Sequence, residues 1–180
     1  MHFALEGLDV GDQVSWNRGR RWIHIALLDV PGLGTSRYAT ELTLANLGAA
    51  PLPLSLDYFA TAAFGGGSGS VAVTLAAGEQ RVIPDAIAFL RGNGLAIPGG
   101  GTNVAGSLLV RAPQGTSPDA LFAGARTFTG STVRAGTFGV FYPGLTLADA
   151  ADGAAWVHGL QQNAAMRSNL AFVNSGDAGP

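Results

Sequence analysis

The chain has 180 residues, a net charge of −2 and only 12% charged residues, against roughly 25% in an ordinary domain. It has no cysteine and no lysine, its ten basic residues all being arginine, which excludes disulfides, zinc–thiolate sites, cysteine nucleophiles, Schiff bases, a Walker lysine and lysine–asparagine crosslinks. The arginines are scattered, so no basic stripe awaits nucleic acid, and no apolar run reaches the ~18 residues of a membrane helix.

Hydrophobic residues make up 47% of the chain, enough to bury a core, and 27 glycines point to short strands with many turns. Surface buried against neighbouring copies, or a general bias of composition, accounts for the shortage of charge.

Residues 1–21 have little periodicity and read as a lead-in or arm. They carry Glu6, Asp9, Asp12 and Trp16 but neither the basic start nor the apolar run of a signal peptide. Residues 22–165 read as one β-sandwich domain. Its first strands are Trp22–Asp29, broken by Pro31-Gly32, then Arg37–Asn46 and Leu52–Phe59. Pro51 and Pro53 place an edge or a strand start at the last of these, since proline lacks the ladder donor.

A glycine-rich loop separates Leu52–Phe59 from a strand at Ser70–Ala77. Arg81–Leu90, where Pro84 can initiate, is the best candidate for a helical turn. Val104–Arg111 and Leu121–Thr129 are strands, Gly136–Tyr142 is a compact aromatic segment, and Leu147–Ala151 offers a second helical turn. Ala154–Leu160 and Met166–Asn174 read as the last two strands. The expected fold is therefore all-β: an antiparallel sandwich, immunoglobulin-like or jelly-roll-like, of about nine to ten short strands with one or two helical turns.

One stretch nearly recurs. Thr40-Glu41-Leu42-Thr43-Leu44-Ala45-Asn46-Leu47-Gly48 is echoed by Ser168-Asn169-Leu170-Ala171-Phe172-Val173-Asn174-Ser175-Gly176, at an offset of 128 from Leu42 to Leu170. Trp22-Ile23-His24 is echoed more faintly by Trp156-Val157-His158. Residues 166–180 thus read as the opening strand of a second module, available for donation to a neighbour.

The order of signals extends this. Leu42–Asn46, an alternating strand, Leu75-Ala76-Ala77-Gly78-Glu79, Pro84-Asp85, Ala125–Phe128, Gly136–Gly139, Gly159-Leu160 and Arg167–Leu170 follow in turn. This order resembles the tandem immunoglobulin-like or CARDB-like sandwich modules of secreted bacterial cell-surface proteins, over roughly residues 22–176. The resemblance implies an extracellular, non-catalytic module. The absence of a signal peptide is a departure from it, and implies a trimmed leader if the location is extracellular.

The inventory for chemistry is thin. His24 and His158 could form a metal or acid–base pair, but a repeated strand with an outward histidine explains them more simply. Glu6, Asp9 and Asp12, and likewise Asp149 and Asp152, lack the spacing of a calcium loop. Asp57 alternates outward within its strand and reads as solvent-exposed. Gly66-Gly67-Ser68-Gly69-Ser70 lacks the final glycine of a nucleophile elbow, and Gly32-Leu33-Gly34 lacks the third glycine of a dinucleotide site.

No catalytic residue, cofactor or metal is expected. The expected function is a structural surface or filament module built by strand addition between copies, with Arg167, Asn169, Leu170, Phe172, Asn174 and Trp16 as interaction residues. The alternative is a carbohydrate- or ligand-binding module, with exposed aromatics contacting cell-surface glycans.

Overall fold

A computed structural model describes residues 22–173, except 33, 65, 100, 132–134, 147–148, 152, 164–167, 169 and 171. The described residues form nine strands, all paired antiparallel. These are β1 (Trp22–Pro31), β2 (Arg37–Asn46), β3 (Leu52–Ala60), β4 (Gly69–Leu75), β5 (Gln80–Ile83), β6 (Val104–Arg111), β7 (Leu121–Gly130), β8 (Thr137–Pro143) and β9 (Leu145–Thr146). One helix, α1 (Ala86–Gly92), lies between β5 and β6.

The strands form two layers. One runs β4-β3-β6-β1, with β9 against the start of β1; the other runs β5-β2-β7-β8. They join where the ends of β1 and β2 pair, at Val30↔Tyr38 and Pro31↔Arg37. Arg37 locks this corner by donating to Asp29 Oδ1 (2.5 Å) and to the carbonyl of Thr102 (2.8 Å).

Period-2 alternation sends alternate residues of each strand into one core. Ile23, Ile25 and Leu27 of β1 meet Leu42 and Leu44 of β2, with Leu54, Leu56 and Tyr58 of β3 and Leu108 and Val110 of β6 in the same cluster. Each such side chain contributes about 1.5–3 kcal/mol by leaving water. The core leaves no slack at Gly106: a Cβ there would lie 2.6 Å from the Tyr58 ring and would also meet the Phe59 carbonyl.

Two polar devices hold the layers in register. Thr40 Oγ1, on the core face of β2, accepts from the Leu28 amide (2.9 Å) and donates to the Leu28 carbonyl (3.0 Å). Asn46 is buried at the end of β2. Its Nδ2 donates to the carbonyls of Ala50 (2.7 Å) and Ala76 (2.9 Å), and its Oδ1 accepts from the Gly48 amide (2.9 Å). The Leu-x-Leu-x-Asn-x-Gly pattern is therefore a strand followed by a knot that ties two turns together.

Most expected strands are present, Val104–Arg111 with its bounds unchanged. Pro53 sits at the start of β3, before the register with β6 begins at Ser55. The segment Arg81–Leu90 divides differently from expectation. Residues 81–83 belong to β5, with Ile83 opposite Leu42, and the helix starts only after Pro84, which disfavours helical geometry in the residue before it. Asp85 caps the helix, accepting from the Ala88 amide (2.8 Å).

Ala154–Leu160 is not a strand. Alternation makes a strand only where a neighbour supplies the ladder, and here Trp156, Val157 and Leu160 stay exposed. Met166–Asn174 lies partly outside the described residues; its described members, 168, 170, 172 and 173, are in no strand. The arm over residues 1–21 lies wholly outside them. Among the described residues no helix is long and apolar enough to cross a membrane.

Candidate interaction surface

The outer face of the first layer carries the densest polar grouping. Register places Ser55, Arg111 and Trp22 in one row and Asp57, Leu109 and His24 in the next. Asp57 is 3% exposed, which corrects its expected solvent exposure. Ser55 Oγ donates to its Oδ1 (2.6 Å), Arg111 forms an ion pair with its Oδ2, and the Arg111 guanidinium lies 5.5 Å from the centroid of the Trp22 ring. The carboxylate is thus occupied on both oxygens, and the tryptophan covers its counter-ion.

His24 is half-buried, and that burial holds its imidazole below the usual histidine range, so it is neutral near pH 7. Its Nε2 and Trp22 Nε1 are buried with no hydrogen-bond partner among the described residues. Leu109 stands between His24 and Asp57, two strand spacings or about 9–10 Å apart, well beyond proton-transfer contact. His158 is exposed and outside any strand, so the two histidines are not equivalent strand residues.

Among the described residues no three histidine, aspartate or glutamate side chains converge as a metal site would require. Asp149 serves a turn, accepting from the amide (2.9 Å) and hydroxyl (2.7 Å) of Thr146. Asp152, Glu6, Asp9 and Asp12 lie outside the described residues. This face thus brings together the Asp57–Arg111 ion pair and, beside it, the buried His24 Nε2 and Trp22 Nε1, which have no hydrogen-bond partner among the described residues.

The second layer presents something different at its β8 edge. A sheet edge carries unpaired N–H and C=O groups, and proteins guard such edges with short strands, charges or a covering segment. Three of the four edges here have a guard. β9 is two residues long. β5 is four residues long, with Arg81 and the neighbouring Glu79 in an ion pair at 2.7 Å. β4 is flanked at its start by Leu95 and Ala96, which crowd Gly69 and Gly67, and Arg81 Nη2 donates to its Thr74 carbonyl (2.9 Å).

The fourth edge, β8, has seven residues, no charge, and pairing to β7 alone among the described residues. Its apolar side chains point both ways. Phe138, Val140 and Tyr142 share the core-side face, while Phe141 lies on the outer face, stacked with Phe122 at a ring-centroid distance of 6.3 Å. Tyr142 is anchored: its hydroxyl donates to the Ala26 carbonyl across the layers (2.9 Å) and lies 2.9 Å from Thr127 Oγ1. Burial pushes its phenol pKa up.

The other half of β8 overhangs. Phe138 is 57% and Val140 70% exposed, on the face that in every other long strand is buried. Gly139 lets this half lie close to β7, since a Cβ there would collide with the Thr127 carbonyl and Phe128.

Of the interaction residues expected from sequence, Leu170 and Phe172 are described and exposed, at 41% and 62%. Arg167, Asn169, Asn174 and Trp16 lie outside the described residues. The exposed β8 edge is not among the sites expected from sequence. Its only signal was the run Thr137-Phe138-Gly139-Val140-Phe141-Tyr142, apolar at both parities and free of charge. Comparison with protein-family models, curated proteins and solved structures finds no match to this chain.

Proposed function

We propose that this chain is a non-catalytic structural module that associates with other copies of itself by strand addition at a sheet edge, building an extracellular surface layer or filament. The observation that carries the reading is the β8 edge: long, uncharged, apolar on both faces and the only described edge without a guard. The low charge fraction supports it, because packing between copies then desolvates few charges. The order of motifs, which resembles that of secreted bacterial surface modules, supports the extracellular setting.

Sedimentation velocity and negative-stain microscopy of the full chain test the reading. The expected result is concentration-dependent oligomers or filaments. Val140→Lys, which places a charge on an exposed edge position, weakens association by about tenfold or more and leaves the circular dichroism spectrum unchanged. A monodisperse monomer at every concentration sinks the reading.

A second reading rests on the exposed Phe122–Phe141 stack, a flat apolar platform on the outer face. It makes the chain a carbohydrate-binding module of a surface protein. It predicts glycan-array binding that Phe141→Ala abolishes; an array blank for the native chain removes it.

A further inference from the structure

Two uncharged segments of this chain carry exposed apolar side chains in a strand-like sequence pattern: β8, and residues 168–173, of which Leu170, Phe172 and Val173 are described and exposed. We infer that the second completes the first between copies, residues 168–173 of one copy adding to the free edge of β8 in the next. This rests on the self-association reading above and assigns it a donor and an acceptor.

The acceptor follows from the edges. A strand laid beside β9, β5 or β4 meets, respectively, a ladder too short to hold it, the Glu79–Arg81 ion pair, or Leu95 and the Thr74-bound Arg81. Beside β8 it meets backbone that no other strand pairs among the described residues, and the overhanging pair Phe138 and Val140. Because Tyr142 fixes the far end of β8 to β1, the edge is held in place before any partner arrives.

The donor follows from the repeated stretch. In β2 the same pattern forms a strand with neighbours on both sides, and Leu42 and Leu44 are 1% and 0% exposed. Leu170 and Phe172 occupy the equivalent positions and are exposed, and in an added strand they would share one face. Set beside β8, that face extends the row begun by Phe138 and Val140. Cross-strand aromatic and aliphatic pairs of this kind are the unit of sheet stabilisation.

Pairing of β8 with β8 of a second copy would cover the edge but leave Leu170 and Phe172 in water. Donation covers both exposed segments with one contact. It is also heterologous, so copies continue head to tail instead of closing as a dimer.

The absence of native cysteine makes the test direct. Val140→Cys and Leu170→Cys, each in the full chain, introduce a single thiol at an exposed position. Mixed and oxidised, or bridged with a short bis-maleimide, the two variants yield a covalent heterodimer that neither yields alone, and the double variant yields a ladder of covalent oligomers. A dominant Val140→Cys homodimer, a double variant bridged only within one chain, or oligomers with no bridge between these positions each overturns the inference while leaving self-association standing. Monomers throughout overturn both. Circular dichroism of each variant confirms the native sheet before cross-linking.

Discussion

The two edges of the second layer differ in every property that decides whether a strand stops there. β5 has four residues and an ion pair beside it, and it leads into a capped helix whose Ala86, Ile87 and Leu90 are buried. β8 has seven residues, no charge, and aromatic or β-branched side chains on both faces. Both edges flank the same central pair, β2 and β7, and are read by the same solvent. The contrast therefore lies in side-chain chemistry: one edge is short and flanked by an ion pair, and the other is long, uncharged and exposed among the described residues.

The largest expected effect separates the two sides by burial. Leu44, on β2 beside β5, is fully buried, and Leu44→Ala costs about 2–5 kcal/mol through lost transfer energy and the cavity left behind. Val140→Ala removes a side chain already in water and shifts monomer stability by less than about 0.5 kcal/mol. Urea titration at low protein concentration measures both. A comparable loss at Val140 would mean that β8 is covered within its own chain, and the contrast between the edges would disappear.

Next in size is the knot at the end of β2. Asn46→Ala leaves the Ala76 carbonyl, at the turn leading into β5, without its side-chain donor, and costs about 1–3 kcal/mol. Amide hydrogen exchange gives the sharper readout: protection falls around Gly48 and Glu79, whose backbones are tied to this region, and is unchanged in β8. Equal loss of protection in β8 would show the two edges to be one cooperative unit.

How much of this was legible depended on whether the deciding contact was local. Alternation puts Leu42 and Leu44 on one face of their strand and Leu54 and Leu56 on one face of theirs, and all four are buried, because a period of two is written in consecutive residues. Asp57 was misread as exposed because its cover comes from Arg111 and Trp22, on strands distant in sequence that only the register brings together. Ala154–Leu160 reads as a strand but is not one, because an alternating pattern does not say whether a neighbouring strand supplies the ladder. In β8 the apolar residues fall on both parities, so periodicity assigns no face, and the overhang appears only once Tyr142 is seen tied to β1. The proposed donor segment is legible because it echoes β2, whereas the proposed acceptor echoes nothing else in the chain.

The smallest expected effect concerns the guard on β5. Glu79 is only partly buried, yet its Oε2 accepts from the Ala76 amide (2.6 Å) and its Oε1 from Arg81 Nε (2.8 Å). The backbone hydrogen bond, followed by the arginine, holds its carboxyl below the usual glutamate range. An unfolded glutamate titrates at its ordinary value, so the carboxylate favours the folded state above that value, and the contribution fades as pH falls through the lowered one. Glu79→Gln should therefore lower the urea midpoint slightly at about pH 6, and the gap from the native chain should close towards about pH 3. A gap independent of pH would assign the effect to lost packing and not to the charge. Across the same range the Val140→Ala comparison should stay flat: β8 holds one titratable side chain, Tyr142, whose pKa is pushed further up and away from it. An edge guarded by charge responds to acid, whereas an edge left apolar does not.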